Sequence, residues 1–269
     1  MKPELRRILF SLAVLLWAAG LLYFHGSGRI VKYLAPDFRS IALLGGLGLA
    51  VMGLFNLLTA FQKADCGHNH GEEDDHEGGE LNPLVTLLMM TLPLAMSIAW
   101  TKDEFSQATL ARKGLYDDGA AADASLFTSD LPPLTIAEIE KGHRKTADGY
   151  LEFGLIELFF ATGDRELQGL LGGLKIETEG RIVAEKENNE KGTRRRLYRM
   201  FMTCCVADSR AIPIVLEFGK EPPLLPENGW VKVAGTMTFP KRDGIVQAVL
   251  EVDRATAAEV PAEENFLRR

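Results

Sequence analysis

The sequence predicts a membrane α-helical N-terminal region with three spans, followed by an all-β C-terminal domain, an OB-like five-stranded barrel. Two observations carry this reading. Long uncharged apolar runs crowd the first hundred of the 269 residues, and past Gly173 the pattern changes to short strands divided by turn residues.

The spans come first. Ile8–Phe24 is seventeen residues without a charge and follows Lys2, Arg6 and Arg7. Ile41–Phe61 gives twenty-one uncharged residues, and Leu84–Trp100 another seventeen. A helix crossing the hydrocarbon core needs about 20 apolar residues, within roughly 17–25. Tyr23 and Trp100 supply interfacial anchors for the two shorter runs. A cleaved signal peptide shares the basic start of the first run. Its apolar stretch is usually shorter, however, and Gly26-Ser27-Gly28 is only a poor cleavage site, so a retained helix is expected. The spans are therefore placed near 8–24, 41–61 and 84–100. Residues 25–40 are a short connection that makes a helical hairpin of the first two. Gly45, Gly46, Gly48 and Gly53 in the second span permit close helix approach.

This arrangement puts the protein in the cell membrane as a multi-pass chain, with the lipid bilayer as its first partner. Lys2, Arg6 and Arg7 favour a cytoplasmic N-terminus, which places the C-terminal domain on the extracytoplasmic side. Arg29, Lys32, Arg39, Lys102, Arg112 and Lys113 pull the other way.

Residues 101–150 are polar, rich in Ala, Asp and Gly, and carry Pro132-Pro133, the composition of a linker. The soluble domain is assigned to residues 151–269, with a helical lead-in at Asp164–Leu171 closed by Gly172-Gly173. Its strands are read at 174–184, 194–204, 212–218, 230–239 and 245–252, with Gly180 in the first and Gly235 in the fourth. Five strands over some eighty residues suit a small closed barrel of OB type, while an SH3-like barrel or small sandwich shares the pattern.

Two constellations carry chemistry. Between the second and third spans, in the acidic loop 62–83, Cys66, His68, His70 and His76 lie within eleven residues among six carboxylates. Imidazole and thiolate are ligands for zinc or another divalent transition metal, and Gly67 and Gly71 leave the backbone pliable. The absence of a fixed finger spacing points to an exchangeable site. A solvated acidic loop is the plainer alternative. The second constellation is Cys204-Cys205 with Asp208. Adjacent Cα atoms are ~3.8 Å apart, below the usual disulfide range of about 4.4–6.8 Å. On an extended strand the two side chains would also face opposite ways. A weaker second metal site, a redox pair, or one packed and one capping cysteine all fit these residues.

Arg194-Arg195-Arg196 with Lys186, Lys191 and Arg199 makes the first barrel hairpin locally basic. A solvated hairpin edge or anionic lipid headgroups account for this more simply than nucleic acid. The net charge of −7 also opposes a nucleic-acid binder. No nucleophile elbow, phosphate loop, dinucleotide fingerprint or His-Glu-x-x-His helix occurs, so the protein is read as a non-enzyme.

Several segments together resemble the YcgQ-like family of bacterial membrane proteins. They are Gly26-Ser27-Gly28 through Lys32-Tyr33-Leu34, the Cys/His-rich loop before Pro83, Met202-Thr203-Cys204-Cys205-Val206-Ala207-Asp208, and Trp230-Val231-Lys232-Val233-Ala234-Gly235-Thr236. The Cys-Cys-x-Ala-Asp string is the most specific of these. The resemblance implies pairing with a multi-spanning permease and a role in metal-ion handling, with zinc favoured. Two other functions stay open: a membrane-tethered barrel that binds a protein or oligosaccharide, and a thiol-redox protein using Cys204-Cys205.

Overall fold

The computed structural model describes residues 3–61, 82–100, 105–117, 135–186, 189–242 and 244–262. The chain divides into two compact units, Met1–Glu104 and Phe105–Arg269.

The first unit holds α1 (Pro3–Gly26), α2 (Pro36–Leu58) and α3 (Pro83–Trp100), all long and apolar enough to cross a membrane, with mean hydropathies of 2.0, 2.1 and 1.7 over their spans. α2 starts five residues before its uncharged run. Pro36 sits at its first positions and Asp37 in its first turn, where the missing N–H costs nothing and the negative charge suits the helix dipole. The helix ends at Leu58, short of Phe61, and the Thr59 hydroxyl donates to the Phe55 carbonyl at 2.9 Å.

Small residues set the packing. A Cβ at Gly46 would meet Leu21 Cβ at 3.2 Å, and one at Gly53 would meet Leu15 Cδ2 at 2.8 Å, so α1 and α2 touch through these two glycines. Gly45 and Gly48 have nothing within 4 Å. Gly20 gives the same close approach to Leu94 of α3, and the Trp17 indole N–H donates to the Met90 carbonyl at 2.9 Å. The rest of the apolar surface faces outward, with Leu44 67% and Leu58 69% exposed. Such a surface requires an apolar solvent.

The second unit is a closed barrel of five strands: β2 (Lys175–Ala184), β3 (Arg194–Phe201), β4 (Arg210–Glu217), β5 (Trp230–Thr238) and β8 (Val249–Ala257). Their order around the barrel is β2-β3-β4-β8-β5 and back to β2. Every neighbouring pair is antiparallel except β4–β8, which is parallel. A five-stranded Greek-key closure of this kind is the OB arrangement. A short strand, β1 (Leu151–Glu152), adds in parallel to β2. The core is filled by alternate inward residues, among them Ile176, Leu197, Ile214, Leu216, Val231, Met237 and Leu250. Leu155 and Leu158 of α6 (Leu155–Phe160) and Leu171 of α7 (Arg165–Leu171) pack into the same core. Asp164 caps α7 by accepting from the Glu166 and Leu167 N–H groups at 2.8 and 3.2 Å. Glycine is required at position 235, where a Cβ would collide with the Glu251 carbonyl at the irregularity between β5 and β8.

Two strands differ most from the reading of the sequence: β8, which also runs on to Ala257, and β3. β8 begins at Val249, not Ile245, because residues 241–246 form their own two-stranded turn, β6 (Lys241–Arg242) with β7 (Ile245–Val246), around Gly244 at φ 84°. β3 ends at Phe201, three residues early, which bears directly on the cysteines.

Part of the segment read as linker belongs to the barrel unit. Residues 105–117 contain α4 (Gln107–Arg112), capped by Ser106, whose hydroxyl accepts from the Thr109 N–H. Further on, α5 (Ile136–Gly142) begins with a capping box between Thr135 and Glu138.

Candidate metal centre

Met202 to Ser209 connect β3 to β4 and hold a lone bridge residue, Cys205, and a single 3-10 turn at Val206–Asp208. The Asp208 carboxylate folds back over the start of this connection. It accepts the Cys204 N–H at 2.8 Å and the Thr203 N–H at 3.3 Å. The Asp208 N–H donates in turn to the Cys205 carbonyl at 3.1 Å. This curl overrides the alternation of a strand. The expectation that the two thiols diverge across a sheet is therefore wrong, because neither residue lies on β3. One ligand atom each from Cys204, Cys205 and Asp208 lies within 4.8 Å of the others. Both thiols are free and half-buried, so neither is a core residue.

Electrostatics distinguish the three groups. The Cys204 thiol is hydrogen-bonded to Asp208 and then to Cys205, which pushes it up to about 11. Cys205 moves the other way: the Ala207 backbone N–H, followed by the Cys204 thiol, holds it below its ordinary value. Burial works to raise Asp208. The Cys204 thiol and the backbone N–H groups of Cys204, Thr203 and Cys205 outweigh that effect and hold its carboxyl below the usual range.

The donor set fits a borderline-soft dication. Zinc binds thiolate at about 2.3 Å and carboxylate oxygen at about 2.0–2.2 Å, so tetrahedral donors lie under 4 Å apart, a spacing compatible with three atoms within 4.8 Å of one another. Three protein donors would leave a fourth position for another ligand. Entry of the ion would displace the Cys204 proton. Cys66, His68, His70 and His76 lie outside the described residues, so their geometry adds nothing here.

A strap from residues 105–117 supports this turn. Leu110 and Leu115, 1% and 0% exposed, pack with Val183, Tyr198, Met200 and Ala211 on the outer face of β2, β3 and β4. Lys113 Nζ donates to the carbonyls of Val206 at 2.9 Å and Ser209 at 3.0 Å. The Lys113 carbonyl accepts from the Ala211 N–H at 2.9 Å. The sequence reads these residues as linker, with Lys113 only a charge bearing on topology. The one local signal for a strap is the apolar set Phe105, Leu110, Leu115 and Tyr116 within a polar stretch.

The strap also explains the arginines read as a solvated edge or a lipid contact. Arg196 is 1% exposed, pairs with Glu185 at 2.7 Å and donates to the Leu115 carbonyl at 2.9 Å. Arg194 is buried beside Glu217 and Gln247. Inward-held guanidinium groups of this kind hold secondary elements together, not headgroups. Beside the hairpin a groove of about 680 Å³ is lined by the 221–227 segment, with Lys191, Arg195, Glu221 and Glu227 among its lining residues. Its charges are of mixed sign.

Sequence comparison agrees with the two-part architecture. No curated protein matches the chain. Residues 9–116 match the DUF1980 N-terminal domain, a match that takes in the helices and ends within the strap, and residues 169–266 match the DUF1980 C-terminal domain, which is the barrel. The chain is thus built from the N-terminal and the C-terminal domain of the DUF1980 family.

Proposed function

We propose that this protein is a non-enzymatic membrane accessory subunit that handles a divalent transition-metal ion, zinc being favoured, beside a multi-spanning permease. The observation that carries this reading is the convergence of Cys204, Cys205 and Asp208 on one turn. An open fourth position suits an ion that is passed on rather than stored, because an incoming ligand can attack without first breaking the cage. The Cys66, His68, His70 and His76 loop adds a second donor-rich segment between two spans, one that suits capture. The permease rests on the family resemblance of the sequence. The extracytoplasmic placement of the barrel rests on Lys2, Arg6 and Arg7.

Titration of the full chain in detergent tests the metal. Wild-type protein should take up zinc at both segments, and cobalt substitution should give a thiolate charge-transfer band. The Cys204→Ser/Cys205→Ser/Asp208→Ala variant should lose most of that band, keeping only what Cys66 gives, and part of the zinc. Equal uptake and an equal band in the two proteins would remove the barrel from metal handling.

The binding-module reading draws on the barrel topology itself. OB barrels take oligonucleotides and oligosaccharides on the face of their second and third strands. Here those strands are β3 and β4, and residues 105–117 cover much of their outer face. That weakens the reading. A redox role for Cys204-Cys205 would need a strained disulfide between neighbours, while the turn gathers three groups that would suit a single ion.

A further inference from the structure

We infer that Lys113 is a positioning residue for the Cys204/Cys205/Asp208 turn, holding it in the shape that brings the three donors together. The inference rests on the metal reading of that cluster. The β3–β4 connection curls on itself through bonds of Asp208 to Thr203, Cys204 and Cys205, of the Cys204 thiol to Asp208 and Cys205, of the Cys205 thiol to the Ala207 N–H, and of Ser209 to Val206. Lys113 reaches in from a separate segment and grips the turn on both sides of Asp208. Its ammonium binds the Val206 carbonyl before Asp208 and the Ser209 carbonyl after it. Its own carbonyl holds the Ala211 N–H, at the start of β4. One residue thus fixes the chain at 206, 209 and 211.

The hold is firm because Lys113 sits between two anchors. Leu110 and Leu115 on either side are buried, and Arg196, itself locked by Glu185, grips the Leu115 carbonyl. An ammonium has three donors around one point charge, which suits two carbonyls of one tight turn. Remove it, and the Val206 and Ser209 carbonyls lose their tie to the strap. The turn keeps its own bonds but is free to shift, and the three donors with it. Groups that orient metal ligands from outside the coordination shell typically matter 10–100-fold in metal affinity.

The test uses full-length protein with the loop donors removed (Cys66/His68/His70/His76→Ala), so that zinc reports on the barrel alone. In this background Lys113→Met, which keeps the apolar stem and loses the donors, should weaken zinc binding about 10–100-fold in a chelator competition. In metal-free protein it should also speed hydrogen exchange at the Val206–Asp208 amides. Lys113→Arg, which keeps charge and donors, should restore most of the affinity and the slow exchange. Parent-like zinc affinity and exchange in Lys113→Met would overturn the inference. So would loss of the barrel's thermal transition in that variant, since Lys113 would then serve the whole fold. A Cys204→Ser/Cys205→Ser control separates the two ideas: if it binds zinc like the parent, the metal reading itself fails; if it loses zinc while Lys113→Met does not, only the positioning role falls.

Discussion

The helices of the first unit and the barrel of the second use the same apolar side chains and turn them in opposite directions. In α2, Leu44 and Leu58 are more than half exposed and the buried positions are Gly46 and Gly53. In β4 and β8, Leu216 and Leu250 are fully buried, and it is Arg254 and Glu251 that reach outward. Where water is the solvent, leucine goes inward because burial removes apolar area from water. Where lipid is the solvent that drive between helices vanishes, and close contact of backbones through small residues takes its place. Each unit is thus held together internally by a different force, and matched substitutions tell the two forces apart.

The largest contrast is between leucines. Leu216→Ala removes a side chain from the middle of the barrel core and should destabilise that unit by about 2–5 kcal/mol, from the lost transfer energy and the cavity left behind. Leu44→Ala trims a side chain that touches only the surroundings of the helix and should cost under about 1 kcal/mol. Thermal unfolding of full-length protein in detergent, followed by circular dichroism, reads both. Equal costs would mean that α2 buries Leu44 against protein and that the helices are not bathed in lipid.

How far the sequence revealed this division depends on which signal each segment carried. The spans were legible because a run without charges speaks residue by residue. Their ends were less so, since Pro36 and Asp37 extend α2 by capping, not by hydropathy. The barrel strands were legible from alternation and from Asn, Gly and Pro in the turns. Gly180 and Gly235 marked close approaches that the structure has, against the Tyr198 and Glu251 carbonyls. What stayed hidden was long-range. Nothing local in residues 105–117 says that Leu110 and Leu115 will cover strands sixty or more positions away. Three arginines in a row look solvated until Glu185 and the Leu115 carbonyl are brought to meet one of them. The candidate site was half legible. Cys204, Cys205 and Asp208 stood out as residue types, but their convergence depends on β3 stopping at Phe201 and on Asp208 capturing two backbone N–H groups.

A second contrast, smaller in energy, lies within one helix of the membrane unit. Gly53→Leu drives a side chain into Leu15 of α1 and should cost about 1–3 kcal/mol as overpacking. Gly45→Leu, where nothing lies within 4 Å, should be neutral or slightly favourable. Cross-linking of paired cysteines introduced into α1 and α2 measures the approach directly: efficiency should fall for the position 53 variant and hold for the position 45 variant. If both variants cross-link like the parent, the helices are not joined through Gly53. The barrel offers no parallel, because its close glycines meet backbone carbonyls that cannot rotate aside.

The smallest contrast sets two neighbouring cysteines against each other in the β3–β4 connection. Asp208 makes the Cys204 proton hard to remove, while the Ala207 N–H favours the Cys205 thiolate. The thiolate is the species that reacts with iodoacetamide. At pH 8 in metal-free protein, Cys205 should therefore be alkylated roughly tenfold or more faster than Cys204, a ratio reduced but not reversed by the lower intrinsic nucleophilicity of the more acidic thiol. The ratio should close as pH rises toward about 11, where Cys204 ionises. The sign for stability follows from the same shift. The folded chain holds the Cys204 proton more tightly than the unfolded chain, so the hydrogen bond to Asp208 supports the fold below the thiol's ordinary value of 9.0 and is lost as pH climbs through about 11. Fragmentation between residues 204 and 205 in a mass spectrometer assigns each label. Asp208→Asn should bring the two rates together, since the group that retains the Cys204 proton is then uncharged. Equal rates in the unmodified protein at pH 8 would mean that the carboxylate does not hold the thiol, and the three donors would lose the arrangement that makes them one site.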